Sequence, residues 1–522
     1  MDDAAKVQED VLAFLADPAA YGGGAEKVRR IDTHAASVFL AGDRALKIKR
    51  AVRFPFLDFS TLEKRKRVCE AEIEVNRRLA PRLYRGVVAI TRANDGRLAI
   101  GGDGEAVEWA VDMVRFDENR TLDHMANEIN DDLADALGRA VAAAHDKAPI
   151  VDAEPWIKAL GSYIDEHVEA FVEQREIFPA AHAAALAAKS RARYQRIVPL
   201  LHERGRRGFI RRIHGDLHLG NIALIDGRPV LFDAIEFSAV IGSGDVLYDL
   251  AFLLMDLLER KLPQAANIVL NRYLAETCRD EDLDALAALP FFLSMRAAIR
   301  ANVTAARMER AEAAERDKIA TSARAYFEFA QRAIDPARPR CIAVGGLSGT
   351  GKTRLARALA AHIAPMPGAV VVRSDVERKT LFGAGETEKL AAAAYAPDVT
   401  ARVYGSIADK ARRVVAAGHS AIVDAVFATA QERDAVAAAA RAAKVPVQGL
   451  FLTADLATRI ARVGGRTKDA SDADAAVVEA QENFELGALT WPKIDASGTL
   501  VETLRRARAA LSADPRPGQL LD

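Results

Sequence analysis

The stretch GGLSGTGKT at residues 345–353 has the composition of a loop that surrounds nucleotide phosphates. It satisfies the pattern G-x-x-x-x-G-K-[ST], follows the apolar run CIAV and precedes the helix-forming segment RLARALAAHIA. Glycines let the backbone N–H groups face the phosphates, a lysine neutralises the β and γ phosphates, and a threonine hydroxyl binds Mg²⁺. These roles predict a nucleotide-binding loop made of Gly346, Ser348, Gly349, Thr350, Gly351, Lys352 and Thr353.

Charged residues follow the strand-like runs on the carboxyl side of this loop. Asp375 ends AVVVRSD, Arg378 comes three residues later, and Asp424 lies near the end of SAIVDAVF. Ligands gather at the carboxyl ends of strands in an open parallel sheet. There Asp375 could accept a hydroxyl proton, Arg378 could hold a phosphate or carboxylate, and Asp424 could hold Mg²⁺ through water. Arg462 and Arg466 in RVGGR could close over the phosphates from a lid, so the set favours phosphoryl transfer.

A second group of chemical residues lies well before this loop. HGDLHLGN occupies residues 214–221, and VLFDAIEF follows at 230–237. A short loop between two strands can present Asp216 as a base, the amide oxygen of Asn221 to a metal, and Asp233 between metal and phosphates. This arrangement predicts a second site for phosphoryl transfer from Mg-ATP.

Two domains must position these groups. DPARPR at 335–340 interrupts an alanine-rich helical pattern, so we place a boundary there and predict domains 1–335 and 336–522. Before it, the runs SVFLAG, ALKIK, GVVAI and EWAVDMV accompany one helix at about 61–80, and mostly helical sequence follows. After it, CIAVGG, AVVVRSD, SAIVDAVF and VQGLFLTA alternate with helical stretches, which predicts a parallel α/β sheet.

Composition restricts the class of protein. The 522 residues are 50% hydrophobic and 28% charged, with a net charge of −1, which disfavours nucleic-acid or membrane binding through bulk charge. The three cysteines lack disulfide or zinc spacing, and the N-terminus lacks the pattern of a signal peptide. No apolar run is long enough for a membrane span, so we expect a cytoplasmic protein.

The second domain resembles the small P-loop kinases of the gluconate kinase, zeta toxin and polynucleotide kinase group over about 340–500. GLSGTGKT, SDVERK, VDAVF and RVGGRTKDASDAD carry the resemblance. It implies that Asp375 is the general base, that Arg378 contacts the substrate, and that Arg462 and Arg466 are lid arginines.

The first domain, from about 30 to 330, resembles the aminoglycoside phosphotransferase and choline kinase branch of the protein-kinase-like fold. The motifs HGDLHLGN and VLFDAIEF carry the resemblance. It implies that Asp216 is the catalytic base, that Asn221 and Asp233 are Mg²⁺ ligands, and that His214 braces the loop.

The same resemblance implies a lysine that binds the α and β phosphates and a glutamate that pairs with it. In ALKIK the first choice for the lysine is Lys47, and Lys49 is the alternative because the two share a face of the strand. In CEAEIEVNRRLAP the best match for the glutamate is Glu72, with Glu70 as the alternative. In place of a glycine-rich cover the chain has DTHAASVFLAGD at 32–43, so the backbone and hydroxyls around Thr33–Ser37 would cover the phosphates.

The whole chain resembles bacterial proteins that fuse such a phosphotransferase to a P-loop kinase. We therefore expect an α+β, bilobal protein-kinase-like domain followed by an α/β P-loop domain with a parallel sheet. The favoured function is a two-site, ATP- and Mg²⁺-dependent kinase for a small-molecule hydroxyl acceptor. The alternatives are an ATP-sensing regulatory protein with one degenerate kinase domain and a nucleic-acid end kinase. The sequence leaves the oligomeric state open.

The acceptor of the first domain has two alternative signals. CRDEDLD at 278–284 would suit a polycation such as an aminoglycoside, whereas a helical face with Arg296, Arg300, Arg307 and Arg310 would suit an anionic acceptor if it faced the cleft. A solvated basic stripe is the plainer interpretation of those arginines.

Overall fold

The computed structural model describes residues 3–23, 25–54, 57–465 and 470–513. The chain divides into one compact unit of Met1–Tyr163 and Leu201–Asp256 and another of Ile164–Leu200 and Leu257–Asp522. The helices are α1 (Asp3–Ala16), α2 (Leu62–Leu79), α3 (Asp131–Lys147), α4 (Glu154–Glu173), α5 (Ala180–Arg206), α6 (Val246–Glu259), α7 (Pro263–Thr277), α8 (Asp280–Asp284), α9 (Leu289–Ala306), α10 (Ala313–Ile334), α11 (Lys352–Ala360), α12 (Ser374–Leu381), α13 (Pro397–Ala416), α14 (Ala430–Ala442), α15 (Leu456–Gly464), α16 (Ala475–Ala480) and α17 (Leu500–Ala513). The strands are β1 (Val28–Asp32), β2 (Ala36–Ala41), β3 (Arg44–Lys49), β4 (Arg53–Phe54), β5 (Leu57–Asp58), β6 (Tyr84–Arg92), β7 (Leu98–Ile100), β8 (Glu105–Val114), β9 (Ile210–Arg211), β10 (Ile222–Ile225), β11 (Arg228–Leu231), β12 (Gly244–Asp245), β13 (Cys341–Gly346), β14 (Val370–Arg373), β15 (Ala421–Asp424), β16 (Val447–Thr453) and β17 (Lys493–Asp495).

The first unit contains a six-stranded antiparallel sheet in the order β1-β2-β3-β8-β6-β7. Strand β3 lies inside it, with Lys47 opposite Val38 of β2 and Val111 of β8. Side chains alternate along a strand, so the apolar Leu46 and Ile48 lie on the opposite face from the lysines. They pack in a core with α1, and the lysines of ALKIK are thereby left to the face that carries the candidate site.

Helix α2 presents a charged residue to this sheet. Thr61 caps the helix, since its hydroxyl accepts a hydrogen bond from the Lys64 N–H at 3.3 Å. One stripe of the helix is buried and includes Cys69, which packs in a cluster with Val111, and Glu72. A buried carboxylate needs a partner, which places Glu72 against the lysines of β3.

The hairpin of β10 and β11 brings the motif HGDLHLGN next to the motif VLFDAIEF. Its register pairs Ile222 with Leu231, and the Phe232 N–H donates to the Asn221 carbonyl at 3.0 Å. The residues that follow β11 therefore lie beside those that precede β10, so Asp233 and Asn221 meet although the hairpin separates them in the sequence.

The second unit contains a five-stranded sheet in the order β14-β15-β13-β16-β17. Every pair of neighbours is parallel, which confirms the parallel sheet predicted after the seam. Helix α11 packs its Leu355 and Leu359 on Ile342 and Ile422 of the sheet. The nucleotide-loop motif thus connects the central strand to a helix, as its chemistry requires.

Helices from earlier in the sequence belong to the second unit as well. α9 and α10 pack on each other, and Phe327 of α10 meets Phe171 and Phe178 with ring centroids 5.0 and 5.1 Å apart. Within the part of the chain that the structure describes, no helix is long and apolar enough to cross a membrane.

Candidate functional site

A cavity of about 540 Å³ in the first unit contains the residues predicted to do chemistry there. Its lining includes a set of charged residues, namely Lys47, Lys49, Glu72, Asp216, Asp233 and Glu236. The remaining wall is largely apolar, with Val38, Leu40, Ala45, Leu83, Met113, Phe116 and Phe232. Arg115, Glu118 and Thr121 line the cavity as well. A cleft that combines an apolar wall with clustered charged groups suits a ligand with a flat base and a charged tail, such as a nucleotide.

The two lysines of β3 share one glutamate. Lys47 Nζ lies 2.9 Å from Glu72 Oε1 and 2.5 Å from Asp233 Oδ1. Lys49 Nζ lies 2.5 Å from Glu72 Oε2 and also pairs with Glu236. The structure thus brings both candidate lysines to Glu72, and Lys47 is the one that also reaches Asp233.

Exposure separates the alternatives left open by the sequence. The Lys47 side chain is 13% exposed, whereas that of Lys49 is 3% exposed and is enclosed by its two carboxylates. Glu72 is fully buried, while Glu70 is 54% exposed and lies 3.9 Å from Lys66 on its own helix. Lys47 is therefore the lysine with access to a ligand, and Glu72 is the glutamate that contacts it.

Electrostatics keep this cluster ionised. Burial alone would lower the pKa of Lys47, but the carboxylates of Asp233, Glu72 and Glu236 outweigh it and hold that pKa well above its ordinary value. Burial would raise the pKa of Asp233, and Lys47 reverses this, so the pKa lies below the usual range. Lys47 and Asp233 therefore neutralise each other.

The predicted catalytic loop is tightly organised around Asp216. The Asn221 amide donates to the Asp216 carbonyl at 2.9 Å and to its Oδ2 at 3.1 Å, and His218 Nε2 lies 3.4 Å from the same oxygen. Gly215 has φ +84, and a Cβ there would meet the Gly242 Cα at 3.2 Å. The tight turn therefore needs glycine between His214 and Asp216.

A buried carboxylate that the sequence reasoning did not select holds this loop. Asp249 accepts hydrogen bonds from the backbone N–H groups of His214 and Gly215, both at 2.9 Å, and lies 3.1 Å from His145 Nε2. Seven residues further along α6, Asp256 accepts a hydrogen bond from the Leu219 N–H at 2.9 Å. Their signal in the sequence is two aspartates seven residues apart in the apolar run VLYDLAFLLMDLLE.

His214 lies inside the loop with its ring away from the cavity. Its Nε2 is 2.9 Å from the Phe232 carbonyl, and burial lowers the pKa of the imidazole. The residue links the loop to the segment that carries Asp233.

The predicted cover is the turn between β1 and β2. Thr33, Ala35 and Ala36 line the cavity, but the Thr33 hydroxyl donates to the Ala36 carbonyl at 3.0 Å, and the Ser37 hydroxyl donates to Asp32 at 2.6 Å. Both hydroxyls stabilise the turn itself. So do two backbone groups, since the Thr33 N–H donates to the Ala36 carbonyl at 2.8 Å and the Ala36 N–H donates to the Thr33 hydroxyl at 3.0 Å.

In the second unit, three glycines of the predicted phosphate loop have positive φ. The angles are +146 at Gly346, +84 at Gly349 and +88 at Gly351. A Cβ on Gly349 would lie 2.6 Å from the Arg459 carbonyl oxygen, and one on Gly346 would lie 2.7 Å from the Thr350 hydroxyl. The loop can adopt this conformation only with glycines, as its motif implies.

The loop is fastened by residues outside the motif. The Ser348 N–H donates to Gln481 at 2.7 Å, the Arg459 Nε–H donates to the Ser348 carbonyl at 2.9 Å, and the Thr350 hydroxyl donates to the Leu347 carbonyl at 2.8 Å. Arg459 and Gln481 carry no motif signal, and the structure alone identifies them. Lys352 begins α11 and is 8% exposed.

Thr353 and Asp424 form the pair expected for a metal at this site. The Thr353 hydroxyl donates to Asp424 Oδ2 at 2.6 Å, and Arg373 Nε lies 3.6 Å from the same oxygen. Asp424 is buried, and its Oδ1 has no hydrogen-bond partner among the described residues. A buried oxygen left in this state fits a hard cation or its water.

Neither unit, over the residues described, gathers three or more His, Cys, Asp or Glu side chains into a metal cage. Mg²⁺ in phosphotransferases is held by one or two carboxylates together with the substrate phosphates and water. Asn221 with Asp233, and Thr353 with Asp424, match that sparse donor set.

Asp375 lies near the phosphate loop with a weakened acidity. Burial raises its pKa and the Asp424 charge adds to the rise, while Lys352 and Arg373 oppose both. A carboxylate with a raised pKa is a stronger proton acceptor than an exposed one.

Of the predicted arginines, two make backbone contacts in the structure. Arg378 donates to the Ala394 carbonyl at 2.6 Å and lies 4.7 Å from the Tyr395 ring centroid. Arg462 donates to the Ala496 carbonyl at 2.8 Å and to the Thr350 carbonyl at 3.4 Å, so it touches the phosphate loop. Arg466 lies outside the described residues.

The two acceptor signals of the sequence fall in the second unit and contact their own neighbours there. Arg413 lies 2.7 Å from Asp284 and 3.8 Å from Asp280, and Arg300 lies 5.6 Å from the Tyr326 ring centroid. Arg296 is buried, so the arginine face is not a uniformly solvated stripe.

Comparison with known proteins agrees with both halves of this description. Residues 28–289 match the model of the phosphotransferase enzyme family, and residues 341–486 match the model of an AAA domain. The chain is 29% identical over 487 residues to the uncharacterized protein Rv2004c of Mycobacterium tuberculosis, which covers 90% of this chain and 92% of the relative.

Two solved structures match one part of the chain each. A choline/ethanolamine kinase family protein from Mesorhizobium loti is 15% identical and covers 63% of this chain and 99% of its own, with a TM-score of 0.39. A gluconokinase from Sinorhizobium meliloti is 21% identical and covers 33% of this chain and 92% of its own, with a TM-score of 0.25.

The two family matches define an enzyme of the kinase class, with a kinase-like domain followed by a P-loop domain. The chain belongs to the phosphotransferase enzyme family, whose model spans half of it. This confirms the predicted resemblance and the predicted fold class.

Proposed function

We propose that this protein is an ATP- and Mg²⁺-dependent phosphotransferase with two separate nucleotide sites, one in each of the domains 1–335 and 336–522. Each site transfers the γ-phosphoryl group to a hydroxyl of a small molecule. The exposed, unpaired thiol of Cys278 suits the reducing cytoplasm, where we place the protein.

The observation that carries the proposal is Lys47 Nζ between Glu72 and Asp233, at 2.9 and 2.5 Å, in the cavity that Asp216 also lines. A lysine, its glutamate partner, a metal carboxylate and a base are the parts that phosphoryl transfer requires. These residues come from β3, α2 and two loops and meet at one place. A site that only bound a nucleotide would not need the base, so the arrangement supports catalysis.

The residues of the first site have distinct tasks. On binding the nucleotide, Lys47 exchanges Asp233 for phosphate oxygens while Glu72 keeps its Nζ in place. Asp233 and the Asn221 amide oxygen would hold Mg²⁺, which when bound offsets negative charge on the β and γ phosphates. Asp216 accepts the proton of the acceptor hydroxyl, and the Asn221 amide keeps its carboxylate oriented.

The second site performs the same task with other parts. The N–H groups of the loop and Lys352 neutralise phosphate charge, and Thr353 with Asp424 would hold the metal. Asp375, with its raised pKa, takes the proton of the second acceptor hydroxyl. Arg378 contacts that acceptor, and Arg462 and Arg466 close over the phosphates.

Calorimetric titration of Mg-ATP into the full chain tests the two-site proposal. We expect two nucleotides per chain, one lost in Asp233→Asn and the other in Lys352→Ala. A stoichiometry of one in the unaltered protein would contradict it.

A screen of hydroxyl-bearing metabolites with radiolabelled ATP then tests transfer, with Asp216→Asn and Asp375→Asn as the matched inactive variants. Tight binding at both sites without transfer to any acceptor would favour an ATP-sensing protein instead.

A further inference from the structure

Helix α7 covers the open edge of the P-loop sheet with asparagine side chains. Strand β14 is an edge strand of that sheet. The amides of Asn267 and Asn271 donate to the Ala369 carbonyl at 3.0 and 3.1 Å, and the Val371 N–H donates to Asn271 Oδ1 at 2.7 Å. These bonds replace those of a neighbouring strand, so α7 is fixed in register with β14.

Arg272, the next residue of α7, begins a line of charges that leads inward. Its Nη1 lies 2.8 Å from Glu386 Oε2, and the Arg272 side chain is 12% exposed. Glu386 also meets Arg373 at 3.4 Å and Arg357 at 3.8 Å. Burial would raise the pKa of Glu386, but these arginines, Arg272 foremost, keep it below its usual range, so the carboxylate is charged.

The line ends at the metal pair of the phosphate loop. Arg373 closes β14, and its Nε lies 3.6 Å from Asp424 Oδ2, the oxygen that accepts from Thr353. Arg373 therefore contacts both Glu386, which Arg272 holds in place, and Asp424, which belongs to the candidate metal pair.

We propose that Arg272, through Glu386, is a positioning residue for Mg²⁺ and nucleotide at the P-loop site. The inference rests on the proposed function of that site. Its consequence is that the P-loop kinase takes a working part from residues 263–277, which lie before the seam at 335 and inside the segment that matches the phosphotransferase family.

The physical reason is competition for Arg373. While Arg272 anchors Glu386, Arg373 stays at ion-pair distance from Asp424 and leaves that carboxylate open to a cation. Without the anchor, Glu386 loses its 2.8 Å contact with Arg272, and Arg373 moves onto Asp424. A guanidinium bonded to Asp424 Oδ2 neutralises the charge with which this carboxylate would attract Mg²⁺, so more Mg²⁺ is needed for the same nucleotide binding.

The test uses the full chain with its first site silenced by Asp233→Asn, so that binding reports on the P-loop alone. Titration of ATP at a series of Mg²⁺ concentrations gives the half-saturating Mg²⁺. We expect Arg272→Met to raise it about threefold to tenfold, the range of one partly buried charge contact. Glu386→Gln should raise the half-saturating Mg²⁺ concentration as well. Arg272→Lys should keep that concentration close to the value of the unaltered residue. Nucleotide binding by Arg272→Met measured in EDTA should be unchanged.

Glu276→Gln is the matched control, because Glu276 lies 3.4 Å from Arg272 on the same helix and does not belong to the line toward Asp424. An unchanged Mg²⁺ requirement in Arg272→Met would overturn the inference. So would an equal loss of binding with and without Mg²⁺ together with a lower Tm, because that would make Arg272 merely structural. Lys352→Ala should bind no nucleotide at the P-loop. If the chain with Arg272 intact and the first site silenced behaves in the same way, the proposed function of the P-loop site is wrong, which is a different result from an unchanged Mg²⁺ requirement.

Discussion

Asp249→Asn tests whether one buried carboxylate holds the catalytic loop of the first unit. The change keeps the shape of the side chain and removes its charge. In the protein both carboxylate oxygens are used: Oδ1 accepts from the Gly215 N–H and Oδ2 from the His214 N–H, each at 2.9 Å. Asparagine has one oxygen and one NH₂ group, so in either orientation one of these backbone N–H groups faces another donor.

The magnitude follows from that count. One buried N–H without an acceptor costs about 1–3 kcal/mol, and the remaining bond loses its charge assistance. A central value of about 2 kcal/mol corresponds to an opening equilibrium about thirtyfold more favourable for the loop. Since the loop carries Asp216, phosphoryl transfer by the first site should fall as well.

Hydrogen exchange of peptides that span residues 210–222 is the appropriate assay, because a chain with two units does not unfold in one transition. Asp226→Asn is the control: its side chain is 82% exposed, and asparagine tolerates the positive φ of 51 found there. Exchange within about twofold of the unaltered protein in Asp249→Asn would refute the bracing role.

Three further outcomes are expected. Asp216→Asn should leave the affinity of the first site for Mg-ATP within a few-fold of the unaltered protein and lower phosphoryl transfer by roughly a hundredfold or more. Asp233→Asn should weaken the binding of Mg-ATP itself. Calorimetry measures the binding, and a transfer assay measures the reaction. Lys352→Ala should abolish nucleotide binding at the P-loop and leave the first site intact; equal loss at both sites would disprove their independence. Because burial raises the pKa of Asp375, and a base acts only when deprotonated, transfer at the P-loop should fall with decreasing pH at a value above that of an ordinary aspartate. A pH–rate profile flat down to pH about 4 would contradict that assignment.

Much of the fold followed from the sequence because its signals are local. The runs SVFLAG, ALKIK, GVVAI and EWAVDMV became strands β2, β3, β6 and β8, and the helix expected at about 61–80 is α2. The P-loop could be located because glycines with positive φ have no substitute. The short edge strands β1, β7 and β17 were missed, because brief strands with few apolar residues carry little periodicity.

The site was predictable where a motif fixes spacing along the chain. Asp216 and Asn221 are five residues apart and bond each other directly. Contacts between residues far apart in the sequence could not be found in this way. Arg459 donates to the carbonyl of Ser348, which lies 111 residues earlier. Asp249 accepts from the His214 N–H although it belongs to a helix that is mostly apolar. The alternation of side chains places Lys47 and Lys49 on one face of β3, but a pattern cannot show that both contact Glu72.

The asparagines of α7 also bear on how the chain is made. An uncovered edge strand exposes a row of N–H and C=O groups to which another chain can add a strand, the first step of aggregation. Residues 263–277 leave the ribosome before β14 does, so the covering helix is already present when that edge forms. If the two family segments came in the reverse order, the edge strand β14 of a newly made P-loop sheet would stay exposed until α7 was synthesised. The observed order avoids that period of exposure.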